Sequence, residues 1–185
     1  MPTPFQHLDY AERVSGHPIL PSKIRDVLAA ASGAYLLGNV APDIRTITGQ
    51  SRAETHFYHL NQAHELAAAD GFLATYPEFG HPCRLSPEQA AFVSGYVVHL
   101  TWDEVWARDI FLPFFRHGPA FQRGDSTPDR LSYFLHHNAL RALLDRRAYA
   151  TLRSSGRAAA SLRGAGTRSG IAPGSRSISG PCLPF

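Results

Sequence analysis

The sequence predicts an all-α protein, a compact multi-helix bundle packed round one buried central helix and followed by a disordered C-terminal tail. Three observations carry that expectation. No segment alternates apolar and polar residues over the roughly four to eight positions that a half-buried strand needs. Turns marked by Pro and Gly separate runs of helix-forming residues. One such run, FVSGYVVHLTWDEVW from Phe92 to Trp106, is apolar on almost every side, a pattern that suits a helix surrounded by other helices.

The elements follow in order. PSKIRDVLAAAS, from Pro21, reads as a short helix that stops near Gly33. RAETHFYHLNQAHELAAADGFLATY, from Arg52, reads as one longer helix, with Gly71 as a break or a packing point. SPEQ gives the clearest start: Ser86 as N-cap, Pro87 at the first helical position, Glu88 at the positive end of the dipole and Gln89 closing a capping box. That helix is expected to run to about Phe111, where Pro113 ends it. A last helix lies in STPDRLSYFLHHNALRALLDRR, with Thr127 as cap and Pro128 inside it. No internal repeat interrupts the series.

A chain of 185 residues that is 44% hydrophobic holds one domain with a real core, expected over residues 1–150. Two cysteines, Cys83 and Cys182, make no multi-disulfide framework. With neither a charged start before an apolar stretch nor a run of about 18 apolar residues, the expected location is cytoplasmic. The net charge of +3 is uneven: residues 151–185 hold five arginines and no acid, leaving 13 basic and 15 acidic groups before them. The basic excess therefore predicts no specific nucleic-acid partner for the body. Rich in Gly, Ser, Arg, Ala and Pro, residues 151–185 read as disordered. A frame-shifted terminus would give the same composition, since one lysine against 17 arginines indicates a GC-rich gene.

Within the buried helix, His99 and Asp103 stand one turn apart on one face, and Gly95 a turn earlier keeps that face open. A buried carboxylate needs a cation or several donors, so the two side chains either bond each other or face a metal. Asp43, behind a proline in GNVAPDI, lies in a turn between helices, where it serves as a cap or as a ligand. ETHFYHL places His56 and His59 at i and i+3, with His64 beyond, and PFQHLDYA holds His7. Imidazole nitrogens and carboxylate oxygens together suit zinc. Trp102, Trp106, Tyr96 and Tyr58 are expected in the core or a pocket wall.

His7, Asp43 in LLGNVAPDI, His56 in ETHFYHL, and His99 with Asp103 in VSGYVVHLTWDEVW, in this order, resemble the zinc-dependent phospholipase C family, or phospholipase C/D domain proteins, whose fold fungal single-strand-specific nucleases share. The resemblance covers residues 1–115. It implies an all-helical hydrolase of phosphoester bonds, with a small phosphoester or phospholipid-like substrate and up to three zinc ions. Asp43, His56, His99 and Asp103 would then bind one ion, and Asp103 would bridge to a second held by His7. For a further site the resemblance implies two histidines and a glutamate. The chain offers His117, His136 and His137, but Arg141 stands four residues after His137 and Asp145 is two turns beyond it. Asp43 is the expected proton acceptor or a plain ligand, and His59 and Glu104 are expected to orient ligands. The alternative from the residues themselves is a non-catalytic helical module with a structural or vestigial metal site.

Overall fold

The computed structural model describes residues 1–58, 67–116 and 127–155. His59, His64, His117, Cys182 and residues 156–185 lie outside it, and with them the expectations placed on them.

Every regular element among the described residues is helical. In chain order these are α1 (Pro4–Ser15), α2 (Ser22–Ala30), α3 (Ser32–Val40), a 3₁₀ turn (Ala41–Ile44), α4 (Arg45–Thr48), α5 (Arg52–His56), α6 (Ala68–Thr75), two 3₁₀ turns (Pro77–Gly80 and Pro82–Arg84), α7 (Pro87–Trp106) with a π-helical continuation (Ala107–Arg116), and α8 (Thr127–Ser155). No single helix among the described residues is long and apolar enough to cross a membrane.

α7 is the central helix, and its start is the predicted one. Ser86 accepts from the Gln89 N–H at 3.2 Å while the Gln89 side chain accepts from the Ser86 N–H at 2.9 Å. Its buried residues, among them Ala91, Val93, His99, Leu100, Asp103 and Trp106, face neighbours on several sides. One apolar cluster joins Ala91 to Ala11, Leu28, Tyr35 and Leu36, and a second joins Val93 and Leu100 to Tyr58, Ala68 and Phe72. Fully burying a side chain such as Leu100 contributes about 1.5–3 kcal/mol.

Two glycines set the closest crossing. A Cβ on Gly95 would lie 2.0 Å from the Tyr35 carbonyl oxygen, and one on Gly38 would lie 2.0 Å from that of Phe92. α3 and α7 therefore meet backbone to backbone, so Gly95 serves this contact rather than holding a face open. Across it the Asn39 amide donates to the Gly95 carbonyl at 3.0 Å. Gly71 is a packing point of the same kind, its missing Cβ leaving room for the Phe57 carbonyl 2.9 Å away.

Four boundaries differ from the expectation. The helix from Pro21 stops at Ala30 and a new one begins at Ser32, so Gly33 lies inside α3; Ala31, at φ −112° and ψ 34°, makes the corner. The helix from Arg52 ends at His56, because Phe57 adopts a left-handed φ of 60°. Beyond Trp106 the backbone widens into π winding that contains Pro113 instead of ending before it; a π turn accommodates the donor that proline lacks. α8 continues through Ser155 and buries Leu152, so the helical body outlasts residue 150. α8 lies on α1, where Phe5 meets Tyr149 edge to face at 5.1 Å, Thr3 bonds Asp145, and the Gln6 amide donates to the Arg141 carbonyl at 3.2 Å.

Candidate metal centre

The backbone contact between α3 and α7 positions His99. His99 Nδ1 lies 2.7 Å from the Asn39 carbonyl oxygen. A carbonyl only accepts, so Nδ1 carries the proton and Nε2 presents its lone pair inward. The arrangement matches that of ligating histidines, whose second nitrogen is held by an outer partner. Burial, and then the nearby His7, push the His99 pKa down to about 3, so the ring is neutral at pH 7.

His56 ends α5, a helix started by a capping box in which Ser51 accepts from the Glu54 N–H. Its Nδ1 shares a 2.9 Å hydrogen bond with Thr55 Oγ1, and the Thr55 carbonyl accepts from the Tyr96 hydroxyl at 2.7 Å. α5 is thus pinned to α7. His56 Nε2 faces His99 Nε2 at 3.3 Å, Asp103 Oδ2 at 3.2 Å and Asp43 Oδ1 at 3.6 Å, and His99 Nε2 lies 4.0 Å from Asp103 Oδ2. Donor atoms bound tetrahedrally at the bond lengths of zinc stand about 3.3–3.4 Å apart. His56 Nε2 therefore has ligand atoms of Asp43, His99 and Asp103 round it at close to the spacing that one ion would require.

His7, on α1, stacks on His99 with ring centroids 3.8 Å apart. Its Nε2 is 3.4 Å from Asp103 Oδ1, and neither ring nitrogen nor that carboxylate oxygen has a hydrogen-bond partner, although all three are buried. Buried polar atoms left unpaired cost about 1–3 kcal/mol each. A cation between His7 and Asp103 would satisfy two of them together. The ligand atoms of His7, His99 and Asp103, like those of Asp43, His56 and His99, all lie within 4.8 Å of one another. Asp103 turns one oxygen toward each set.

Asp103 is ionised. Burial pushes its pKa up, but the neighbouring His56 and His7 rings and the charge of Arg52 hold it well below the usual carboxylate range. Arg52 donates to Asp103 Oδ2 at 2.5 Å and to the Tyr58 hydroxyl at 2.8 Å, and its guanidinium lies 5.1 Å from the Tyr58 ring centre. Asp43 differs from its partners in being 24% exposed, against 0–1% for His56, His99 and Asp103. Its pKa is also lowered: burial alone would raise it, and the neighbouring His56, His99 and His7 rings together outweigh that effect.

The remaining expected participants do other work. Glu104 accepts from the Ala68 N–H at 3.3 Å, holding the start of α6 rather than orienting a ligand. His137 accepts from the Trp106 indole at 3.2 Å and packs against Phe111 and Phe115. His136 pairs with Ser132, and Asp145 with Thr3. Among the described residues no third set of ligand atoms gathers round them. Trp102 stacks on Tyr10 at 4.3 Å and Tyr96 on Phe72 at 4.7 Å, as core groups. Sequence reasoning had no role for Asn39, Thr55 or Arg52. Asn39 carried a signal, a polar residue in an apolar helix four positions before Asp43.

Fold and site together define an all-helical protein with a buried His/Asp cluster that could hold a metal ion. Compared with known proteins, the chain matches no family model, no curated protein and no solved structure.

Proposed function

We propose that the chain is a metal-dependent hydrolase of phosphoester bonds, phospholipase C-like, with zinc as its ion. The observation that supports it is the packing of Asp43, His99 and Asp103 ligand atoms 3.2–3.6 Å from His56 Nε2, beside a cavity of about 800 Å³ that Asp43 and Arg52 line. Such a volume suits a small-molecule substrate.

Zinc, when bound, supplies Lewis acidity and brings the pKa of a water toward about 7. His56 and His99 would each turn Nε2 to that set, their outer nitrogens held by Thr55 and the Asn39 carbonyl. Asp103 and Asp43 supply the negative charge. Asp43 alone among the four reaches the cavity, and its lowered pKa keeps it an ionised carboxylate near neutrality. In the proposed reaction a water oxygen attacks phosphorus, Asp43 takes the proton, and the phosphorus–oxygen bond to the leaving group breaks. The leaving oxygen then takes a proton from solvent. Arg52, beside both Asp103 and the cavity, is placed to meet phosphoryl oxygens.

The test is elemental analysis of the purified protein together with turnover of chromogenic phosphoesters. Stoichiometric zinc and turnover, both lost in His99→Ala, support the reading; bound zinc with no phosphoester turned over removes its enzymatic half. A second reading, a non-catalytic helical module, is favoured by one observation: Arg52 already gives Asp103 a cation at 2.5 Å. If so, His56 donates to Asp103, the cluster closes as an internal network, and the protein carries no zinc or holds it without turnover.

A further inference from the structure

The cavity beside the cluster has an unusual wall. Arg45 from α4, Arg52 from α5 and Arg141 from α8 all line it, against apolar surface from Leu37, Ile44 and Phe92. Each of the three arginines has a buried Nε without a hydrogen-bond partner. A guanidinium stays charged at any ordinary pH, and its planar fork of donors fits phosphate oxygens two at a time. Leaving such donors unpaired forfeits their hydration with no return.

The charges do not balance. Arg52 is neutralised by Asp103 at 2.5 Å. Among the described residues the Arg141 guanidinium bonds an uncharged acceptor, Asn138 Oδ1 at 3.3 Å, and neither Arg141 nor Arg45 takes part in an ion pair. Of the acids, Asp43 is the one lining the cavity, and it is shared with His56. A divalent ion at the cluster would add further positive charge. The excess is thus larger than one negative charge would offset, and it is spread over two side chains from separate helices.

We propose that this cavity is a phosphomonoester subsite in which Arg141 and Arg45, with Arg52 behind them, grip the phosphate oxygens, so that a doubly charged phosphomonoester is preferred over a singly charged diester. The inference rests on the phosphoester-hydrolase reading and names the substrate class for that site. The apolar wall takes the organic group of the ester, and the arginines set the charge it must carry.

The experiment compares 4-nitrophenyl phosphate with bis(4-nitrophenyl) phosphate on the zinc-loaded protein, for wild type, Arg141→Gln, Arg141→Lys and Arg45→Gln. Expected are a higher kcat/KM for the monoester in wild type, a loss of about tenfold or more for the monoester in Arg141→Gln, less than about threefold for the diester, and partial retention in Arg141→Lys. Equal losses on both substrates, or none on either, overturn the proposal. Calorimetric binding of inorganic phosphate to zinc-loaded and chelator-stripped protein separates it from the hydrolase reading. Phosphate binding that is weakened in Arg141→Gln, in a protein that turns over neither ester, keeps the anion subsite and removes the hydrolase. Phosphate bound equally by wild type and Arg141→Gln, with zinc content unchanged, removes the subsite alone. Matching circular dichroism melts for the variants show that the losses are not unfolding.

Discussion

Gly95→Ala tests the claim that the metal cluster hangs on a backbone contact. The new Cβ would stand 2.0 Å from the Tyr35 carbonyl oxygen and 3.0 Å from the Asn39 nitrogen. Ordinary contact begins near 3.4 Å, so α3 must retreat by more than an ångström, and a helical carbonyl cannot swing aside as a side-chain tip would. Overpacking of this kind costs about 1–3 kcal/mol, here at the upper end. The retreat also breaks the 3.0 Å bond from Asn39 to the Gly95 carbonyl and leaves a buried amide unpaired, which adds about 1–3 kcal/mol. Alanine's better helix propensity offsets about 1 kcal/mol. The net is about 3–5 kcal/mol of destabilisation, or a fall in Tm of about 6–20 °C. Because Asn39 also holds His99, zinc affinity measured by competition with a chromogenic chelator falls in the same variant. Urea unfolding that shows Gly95→Ala within about 0.5 kcal/mol of wild type, or stabilised by helix propensity, would refute the reasoning.

Further perturbations have equally definite outcomes. His7→Phe replaces a buried imidazole without partners by an apolar ring; the chelated protein should melt at or above the wild-type temperature while stabilisation by added zinc shrinks, and an unchanged zinc response counts against His7 as a ligand. Ser86→Ala removes the α7 capping box and should cost about 1 kcal/mol in urea unfolding. Burial, with the positive charges of the Met1 amine and Arg141, lowers the His137 pKa from 6.5 to about 4. Folding therefore disfavours its proton, so the associated stability is complete above pH 6.5 and is lost as pH falls toward 4, by up to about 3 kcal/mol. His137→Gln should flatten that limb in unfolding curves of chelated protein between pH 7 and 4.5; an unaltered slope refutes it.

How much of this was legible in the sequence differs by element. α7 was readable at its start and in its burial, because SPEQ is a local signal and an all-round apolar helix has one physical home. Its π-helical end was not, since Pro113 normally stops a helix and only tertiary packing shows otherwise. The break after His56 was hidden for a similar reason: Phe57 is a residue that seldom adopts positive φ. Of the cluster, the residue types and their order were visible, and the fold brings His7, Asp43, His56, His99 and Asp103 into two sets that share His99. What sequence spacing cannot supply is a contact between distant segments. Asn39 meets His99 across 60 positions and Arg52 meets Asp103 across 51, and both depend on how α3, α5 and α7 cross.

His7, Asp43, His56 and the pair on α7 come from four stretches that are far apart along the chain and are joined by little covalent structure. An ion held among them would act as a knot closing three loops at one point, and the entropy of the unfolded chain would fall accordingly. Local opening would then lose its independence: freeing α1, the Asp43 turn or α5 would each mean releasing the ion. In hydrogen exchange those segments of the zinc-loaded protein should open at one shared rate, while the far end of α8 continues to fray on its own.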